Sequence, residues 1–289
     1  MITNQRISCH DGRSHMKTRT PLLVLATCCW LALSGSAAAQ DPDESAANED
    51  LAKAIQNPLA SIVSLPFQAN YNHGVGEHDR LFFNLNIQPV VPYPGEEWNV
   101  ITRTIIPVNS VPIGETDSVF GIGDTSFTAW LSPAEASSLT WGVGPSITIP
   151  SASNPELLGS GKLSLGPSGV VFYGIGKWTL GAVASNVWSI GGDSDREDVN
   201  FFFAQWFLNF NFGKGWVLGS APILTANWEA DPGNKWVIPW GLQISKLSHV
   251  GSMPINVIIG YYKNSEHPEG GADNQVRFQL NFLFPQASR

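Results

Sequence analysis

Cysteine is scarce and confined to one end of the chain. Its three copies are Cys9, Cys28 and Cys29, all within the first 39 residues. Those residues read as an export leader. Arg6, Arg13, Lys17 and Arg19 form a basic segment, Pro21 to Leu33 an apolar core too short for the ~20 residues of a spanning helix, and Ala37-Ala38-Ala39 a small-residue cleavage site. Cleavage after Ala39 is predicted, with Gln40 as the first mature residue. A lipoprotein signal at Leu25-Ala26-Thr27-Cys28 fits poorly, because Thr27 is large for its position and the apolar run continues past Cys29. Without the leader no thiol remains, which excludes disulfide staples, thiolate metal sites and cysteine nucleophiles.

Charge is also sparse, at 14% of residues against roughly 25% in ordinary soluble proteins, and positive charge is the scarcer sign. The leader removes four basic residues and Asp11, leaving 12 Lys+Arg against 23 Asp+Glu and a formal charge of −11. A phosphate-binding surface needs the opposite balance, so nucleic acid is excluded as a partner. Long apolar runs are lacking too. After the leader, Gly, Pro, Asn or a charge interrupts every one, so a membrane protein of this composition can cross only as a β-barrel.

The chain has instead 28 Gly, 15 Phe and 11 Trp, arranged with period two from Ser61 onward. In 276–284, Val276, Phe278, Leu280, Phe282 and Phe284 alternate with Arg277, Gln279 and Asn281; in 81–88, Leu81, Phe83, Leu85 and Ile87 alternate with Phe82, Asn84, Asn86 and Gln88. In 202–212, Phe202, Ala204, Trp206, Leu208, Phe210 and Phe212 oppose Phe203, Gln205, Phe207, Asn209 and Asn211. One face suits hydrocarbon and the other tolerates water. Strand centres fall near 68, 85, 103, 126, 145, 168, 184, 206, 222, 240, 259 and 280, which predicts an all-β, transmembrane antiparallel barrel of about twelve strands over 61–289.

Connections alternate as well. Short turns, such as 174–177 and 213–215, separate longer polar, acidic loops at 108–119, 150–161, 190–199, 229–235 and 264–273. That order is expected of short periplasmic turns and long outer loops. Trp98, Trp130, Trp141, Trp178 and Trp216 lie beside short turns and Trp188, Trp228 and Trp236 beside long loops, predicting two aromatic girdles, with mid-strand Trp206 and Trp240 as core fillers. Pro89, Pro145, Pro167, Pro222 and Pro239 interrupt predicted strands, which must kink there. The acidic segment 40–60, with a short helix-like stretch at Leu51 to Gln56 stopped by Pro58, reads as a mobile periplasmic extension; a plug inside the barrel is the alternative.

Segments spanning nearly the whole mature chain carry a resemblance: NPLASIVSLPFQANYN at 57–72, NIQPVVP at 86–92, WNVITRTIIPV at 98–108, GIGDTSFTAWLSP at 121–133, WGVGPSITIP at 141–150, WTLGAVASNVWSIGG at 178–192 and FQLNFLFP at 278–285. With these the chain resembles a Gram-negative family described as transporters of the MetA pathway of phenol degradation, often misnamed neuromedin U. The resemblance implies an outer-membrane barrel handling hydrophobic or aromatic compounds. It brings no catalytic motif and no cofactor. Outer-membrane barrels usually end on an aromatic residue read by the barrel-assembly machinery, whereas Phe284 is followed here by Pro-Gln-Ala-Ser-Arg.

Parity places Asn84, Asn86, Gln88, Arg103, Gln205, Asn209, Arg277, Gln279 and Asn281 on the lumen side. Arg103 and Arg277 are the arginines expected deep in strands, where a charge facing lipid is disfavoured; they would either set an electrostatic constriction or pair with a carboxylate such as Asp124 as interior packing. The mature histidines, His73, His78, His249 and His267, lack a nucleophile elbow. Gly159-Ser160-Gly161-Lys162 lacks the earlier glycine and the following hydroxyl of a phosphate loop. Asp193 to Asp198 lacks EF-hand spacing and reads as a solvated loop facing lipopolysaccharide and its divalent ions. No metal site is expected. Three functions remain: a channel or transporter for small, hydrophobic or aromatic solutes; a packed barrel serving structure or partner binding; and a surface lipid-modifying or ester-hydrolysing enzyme.

Overall fold

A computed structural model describes residues 49–135 and 137–285. The predicted leader, its expected cleavage after Ala39 and the last four residues lie outside them. The described chain opens on a helix, α1, over residues 49–54. Strands follow: β1 (Ile62–Val75), β2 (Arg80–Ile87), β3 (Val90–Tyr93), β4 (Trp98–Ile113), β5 (Asp117–Ile122), β6 (Thr125–Pro133) and β7 (Leu139–Ile149). A single helical turn, α2 (Pro155–Leu158), precedes β8 (Lys162–Ile175), β9 (Trp178–Gly192), β10 (Asn200–Gly213), β11 (Trp216–Ser220), β12 (Ile223–Asn227), β13 (Trp236–Val250), β14 (Met253–Glu266) and β15 (Asn274–Pro285).

Three pairs, β2 with β3, β5 with β6 and β11 with β12, are halves of single staves, so the fifteen segments form a twelve-stave antiparallel sheet. It closes where β15 meets β1, from Ile62 opposite Pro285 to His73 opposite Asn274. Each of the twelve predicted centres falls in its own stave or at the break between its halves. Closure matters because an open edge would leave a row of unpaired N–H and C=O groups.

Proline marks the irregularities, as expected of a residue with no N–H to give the ladder. Pro89 lies between β2 and β3, and Pro222, fully buried, lies between β11 and β12. Pro239 sits at a register shift against β14. Pro145 and Pro167 face each other across β7 and β8.

The predicted loop 108–119 is largely strand. Val108 to Ile113 pair with Asp117 to Ile122, leaving a turn at 114–116. The β-branched Val108, Val111, Ile113, Val119 and Ile122 favour the extended form over the loop that their polar neighbours suggested. The short turn at Lys214 places a non-glycine residue at φ 52 between two positive-φ glycines, which lets β10 and β11 join with minimal linker.

The outer face is apolar over much of its height: Val143, Leu165, Val171, Leu180, Trp206, Leu208, Leu242 and Ile244 are exposed on it. Trp98 and Trp141 meet edge-to-face at 6.1 Å near the short turns. Near the loops, Trp228 and Trp236 pack on each other and on Phe202. Two tryptophan expectations are corrected. Trp130 is 1% exposed and lies inside, because it shares parity with Thr128 and Ser132. Trp206 and Trp240 point outward instead of filling a core, since their neighbours of opposite parity, Gln205 and Gln243, face the lumen.

Candidate functional site: the barrel lumen

The short-turn end of the lumen is occupied. Residues 49–60, expected as a mobile extension, are lodged inside it. Ala52 is buried with Leu247 and Leu283, and Leu51, Ile55 and Ile62 pack against that cluster. Leu59 is buried among Ile101, Trp130, Val170 and Val183. Between these anchors, the Gln56 amide donates to Asn211 Oδ1 at 2.7 Å and accepts from the Thr179 hydroxyl. The physical reason lies in the helix itself: its charged residues leave Leu51, Ala52 and Ile55 on one stripe, and a stripe of that kind is buried when a complementary wall is available.

Against this plug lies a partly open cavity of about 220 Å³. Of the nine lumen candidates, Gln88, Arg103, Gln205, Asn209, Arg277, Gln279 and Asn281 line it. Asn84 and Asn86 do not; they hydrogen-bond to each other beside it, at 3.1 Å. Gln68, Gln243, Trp130 and Phe207 line it as well without having been singled out, although the parity of Gln68, Asn70 and Asn72 in β1 carried the signal. A second cavity of about 270 Å³ lies toward the outer loops, lined by Asn72, Phe82, Tyr262, Asn264, Gln275 and Arg277 among others. Arg277 lines both.

The two arginines are held by amides. Arg103 Nη2 donates to Gln88 Oε1 at 2.8 Å, Gln88 Nε2 to Gln68 Oε1 at 2.6 Å, and Gln68 Nε2 to Asn70 Oδ1 at 3.2 Å. Arg277 Nε donates to the same Asn70 oxygen at 3.1 Å, closing a belt between the two guanidinium groups. Arg277 also donates to the Ala221 carbonyl at 3.0 Å and to Gln275 Oε1 at 2.9 Å, and stacks on Tyr262, 4.7 Å from the ring centre. Tyr262 is fixed in turn by donating to Gln243 Oε1 at 2.8 Å.

Neither guanidinium meets a carboxylate among the described residues, whose ion pairs are Lys53–Glu49, Lys162–Asp198 and His267–Asp273. The pairing with Asp124 is therefore corrected: that carboxylate accepts from the Ser160 N–H at 2.7 Å and hydroxyl at 2.8 Å, and from the Ala152 N–H. Gly159 to Lys162 thus form a turn organised by Asp124, with Lys162 buried under the outer loop that contains Asp198. Within that loop, Asp193 Oδ1 accepts from the Asp195 N–H and Asp198 Oδ1 from the Ser189 hydroxyl. His267 is held between the Pro268 carbonyl and Asp273, with no hydroxyl in reach of its hydrogen bonds.

No family model matches the chain, and no curated protein matches it. Solved structures do. An outer-membrane channel from Pseudomonas putida F1 is 14% identical, with 77% of this chain covering 94% of that one at a TM-score of 0.59. The NanC porin is 11% identical over 76% of this chain and 98% of its own, at 0.48. Outer membrane phospholipase A from Escherichia coli is 10% identical over 82% and 97%, at 0.43. The likeness to the first is one of fold: this chain has the closed antiparallel barrel of outer-membrane proteins.

Proposed function

We propose that the protein is an outer-membrane channel for small organic solutes, exported through a leader cleaved after Ala39 and related to the MetA-pathway transporters that its sequence resembles. The observation that carries this reading is the lumen: two cavities that share Arg277, the first of them bounded by residues of the 49–60 segment. A polar interior inside an apolar outer surface is the arrangement of a barrel that conducts. Twelve staves enclose less space than the 16 to 18 of open porins, and the plug narrows it further, so passage is small and selective. The surface apolar band faces lipid and the acidic loops face lipopolysaccharide. No enzymatic role is proposed, since His267, the histidine with a carboxylate neighbour, reaches no nucleophile.

Planar-bilayer recording of the purified mature protein tests the reading. A small conductance is expected, increased when Leu59→Ala loosens the plug, and cells lacking the protein should take up dilute phenol more slowly. The unboiled protein should migrate faster than the boiled one, because a closed barrel resists detergent. Silence of both wild type and Leu59→Ala, with uptake unchanged on deletion, would replace the channel with a packed structural barrel, the reading that the anchored plug favours.

A further inference from the structure

We infer that the central cavity is a binding site for a small organic carboxylate, held through Arg103 and Arg277 with its apolar body against Pro66, Val90 and Ile258. The inference names the solute class of the proposed channel, yet the site would exist in a barrel that conducts nothing.

The argument begins with charge. Removing a guanidinium from water is costly by several kcal/mol unless an opposite charge compensates it, and proteins ordinarily place a carboxylate there. Here both lumen arginines are met by neutral acceptors: Gln88 for Arg103, and Asn70, Gln275 and the Ala221 carbonyl for Arg277. Amide oxygens orient a guanidinium without neutralising it. No Asp or Glu lines the cavity among the described residues. Two positive charges therefore line one cavity, and an anion from outside is the group that would balance them.

The two arginines contribute differently. Arg277 donates three hydrogen bonds within the protein and rests on Tyr262; it is a fixed positive wall. Among the described residues Arg103 donates one, through Nη2, and its other N–H groups find no acceptor there and are open to a ligand. The planar fork of a guanidinium matches a carboxylate in bidentate fashion. The same space is lined by half-buried Pro66, Val90 and Ile258, apolar surface that an inorganic anion cannot use and a hydrocarbon or aromatic body can. About 220 Å³ limits the guest to a small molecule, of which benzoate is a suitable probe.

Titration calorimetry of the purified mature protein in detergent tests this with benzoate, its neutral near-isostere benzamide, and chloride. Benzoate should bind once per barrel and at least tenfold more tightly than benzamide, because a charge-assisted hydrogen bond exceeds a neutral one by roughly that factor. Arg103→Gln should weaken benzoate about tenfold and leave benzamide unchanged, and Arg103→Lys should restore part of the difference; retained heat-modifiable migration verifies that each variant is folded. Equal affinity for benzoate and benzamide, or displacement of benzoate by chloride at equal concentration, would overturn the carboxylate assignment. Conductance without benzoate binding would defeat this site and leave the channel standing, whereas binding without conductance would defeat the channel and leave the site.

Discussion

The lumen wall of β1 and β2 carries Gln68, Asn70 and Asn84, joined side chain to side chain, beside a separate Gln279–Asn281 pair on β15. Across the barrel, β6, β8 and β9 present Trp130, Ser168, Val170 and Val183, and the polar atoms end locally: Trp130 Nε1 donates to the Ser168 hydroxyl at 3.0 Å, which donates to the Ala184 carbonyl at 3.1 Å. The first wall passes hydrogen bonds along until they reach two charges. The second absorbs them into backbone and packs against Leu59 of the plug. Burial by network preserves polarity at the surface of a cavity, while burial by packing removes it, and a lumen with one wall of each kind is suited to amphipathic guests.

The largest effect should come from the packed wall. Trp130→Ala empties a fully buried site that also seats Leu59, and should destabilise the barrel by about 3–5 kcal/mol, read from the temperature at which the heat-modifiable band converts. Loss of under about 1 kcal/mol would show that the plug, not the wall, fills this space.

Next comes the network wall. Asn70→Leu removes the oxygen that accepts from both Gln68 and Arg277, leaving a buried charged donor short of a partner at a cost of about 2–3 kcal/mol. If the two walls respond alike to Trp130→Ala and Asn70→Leu in ligand binding as well as stability, the distinction between them fails; binding should suffer more from Asn70→Leu.

A third test compares the inside and outside of one stave. Phe282 packs edge-to-face on Phe67 at 5.9 Å on the outer surface, so Phe282→Asp should cost about 1–2 kcal/mol near the interface. Asn281→Asp, one residue away and facing the cavity, should be milder. A reversed order would mean that the register of β15 is wrong.

The smallest expected effect is Gln56→Ala. It removes the plug's bonds to Asn211 and Thr179 and should cost about 1 kcal/mol, visible less as lost stability than as more frequent opening in single-channel records. Unchanged opening would place the restraint on Leu59 and Ala52 alone.

Much of this architecture was readable from residues. Phe278, Phe282 and Phe284 against Arg277, Gln279 and Asn281 placed β15 and its two faces, because side-chain direction in a strand has period two whatever the partner. The same parity, followed through β1, would have placed Gln68 and Asn70. Nearness to a turn points Trp130 toward a girdle, whereas its parity with Thr128 and Ser132 points it inside. At 108–113, neighbouring Asn109, Ser110 and Pro112 hide the β-branched alternation of the strand. The seat of residues 49–60 was not readable, since an amphipathic stripe states only that it will be buried where a wall permits.

The sequence by itself determined the closed antiparallel barrel of about twelve strands and the alternation of its two faces, both consequences of composition and local periodicity. Tertiary structure alone decided that Asp124 serves a turn while Arg103 and Arg277 share a cavity without a carboxylate. Which charges meet depends on contacts between residues as far apart as Asn70 and Arg277, brought together only when β15 closes on β1, and no periodicity along the chain encodes that encounter.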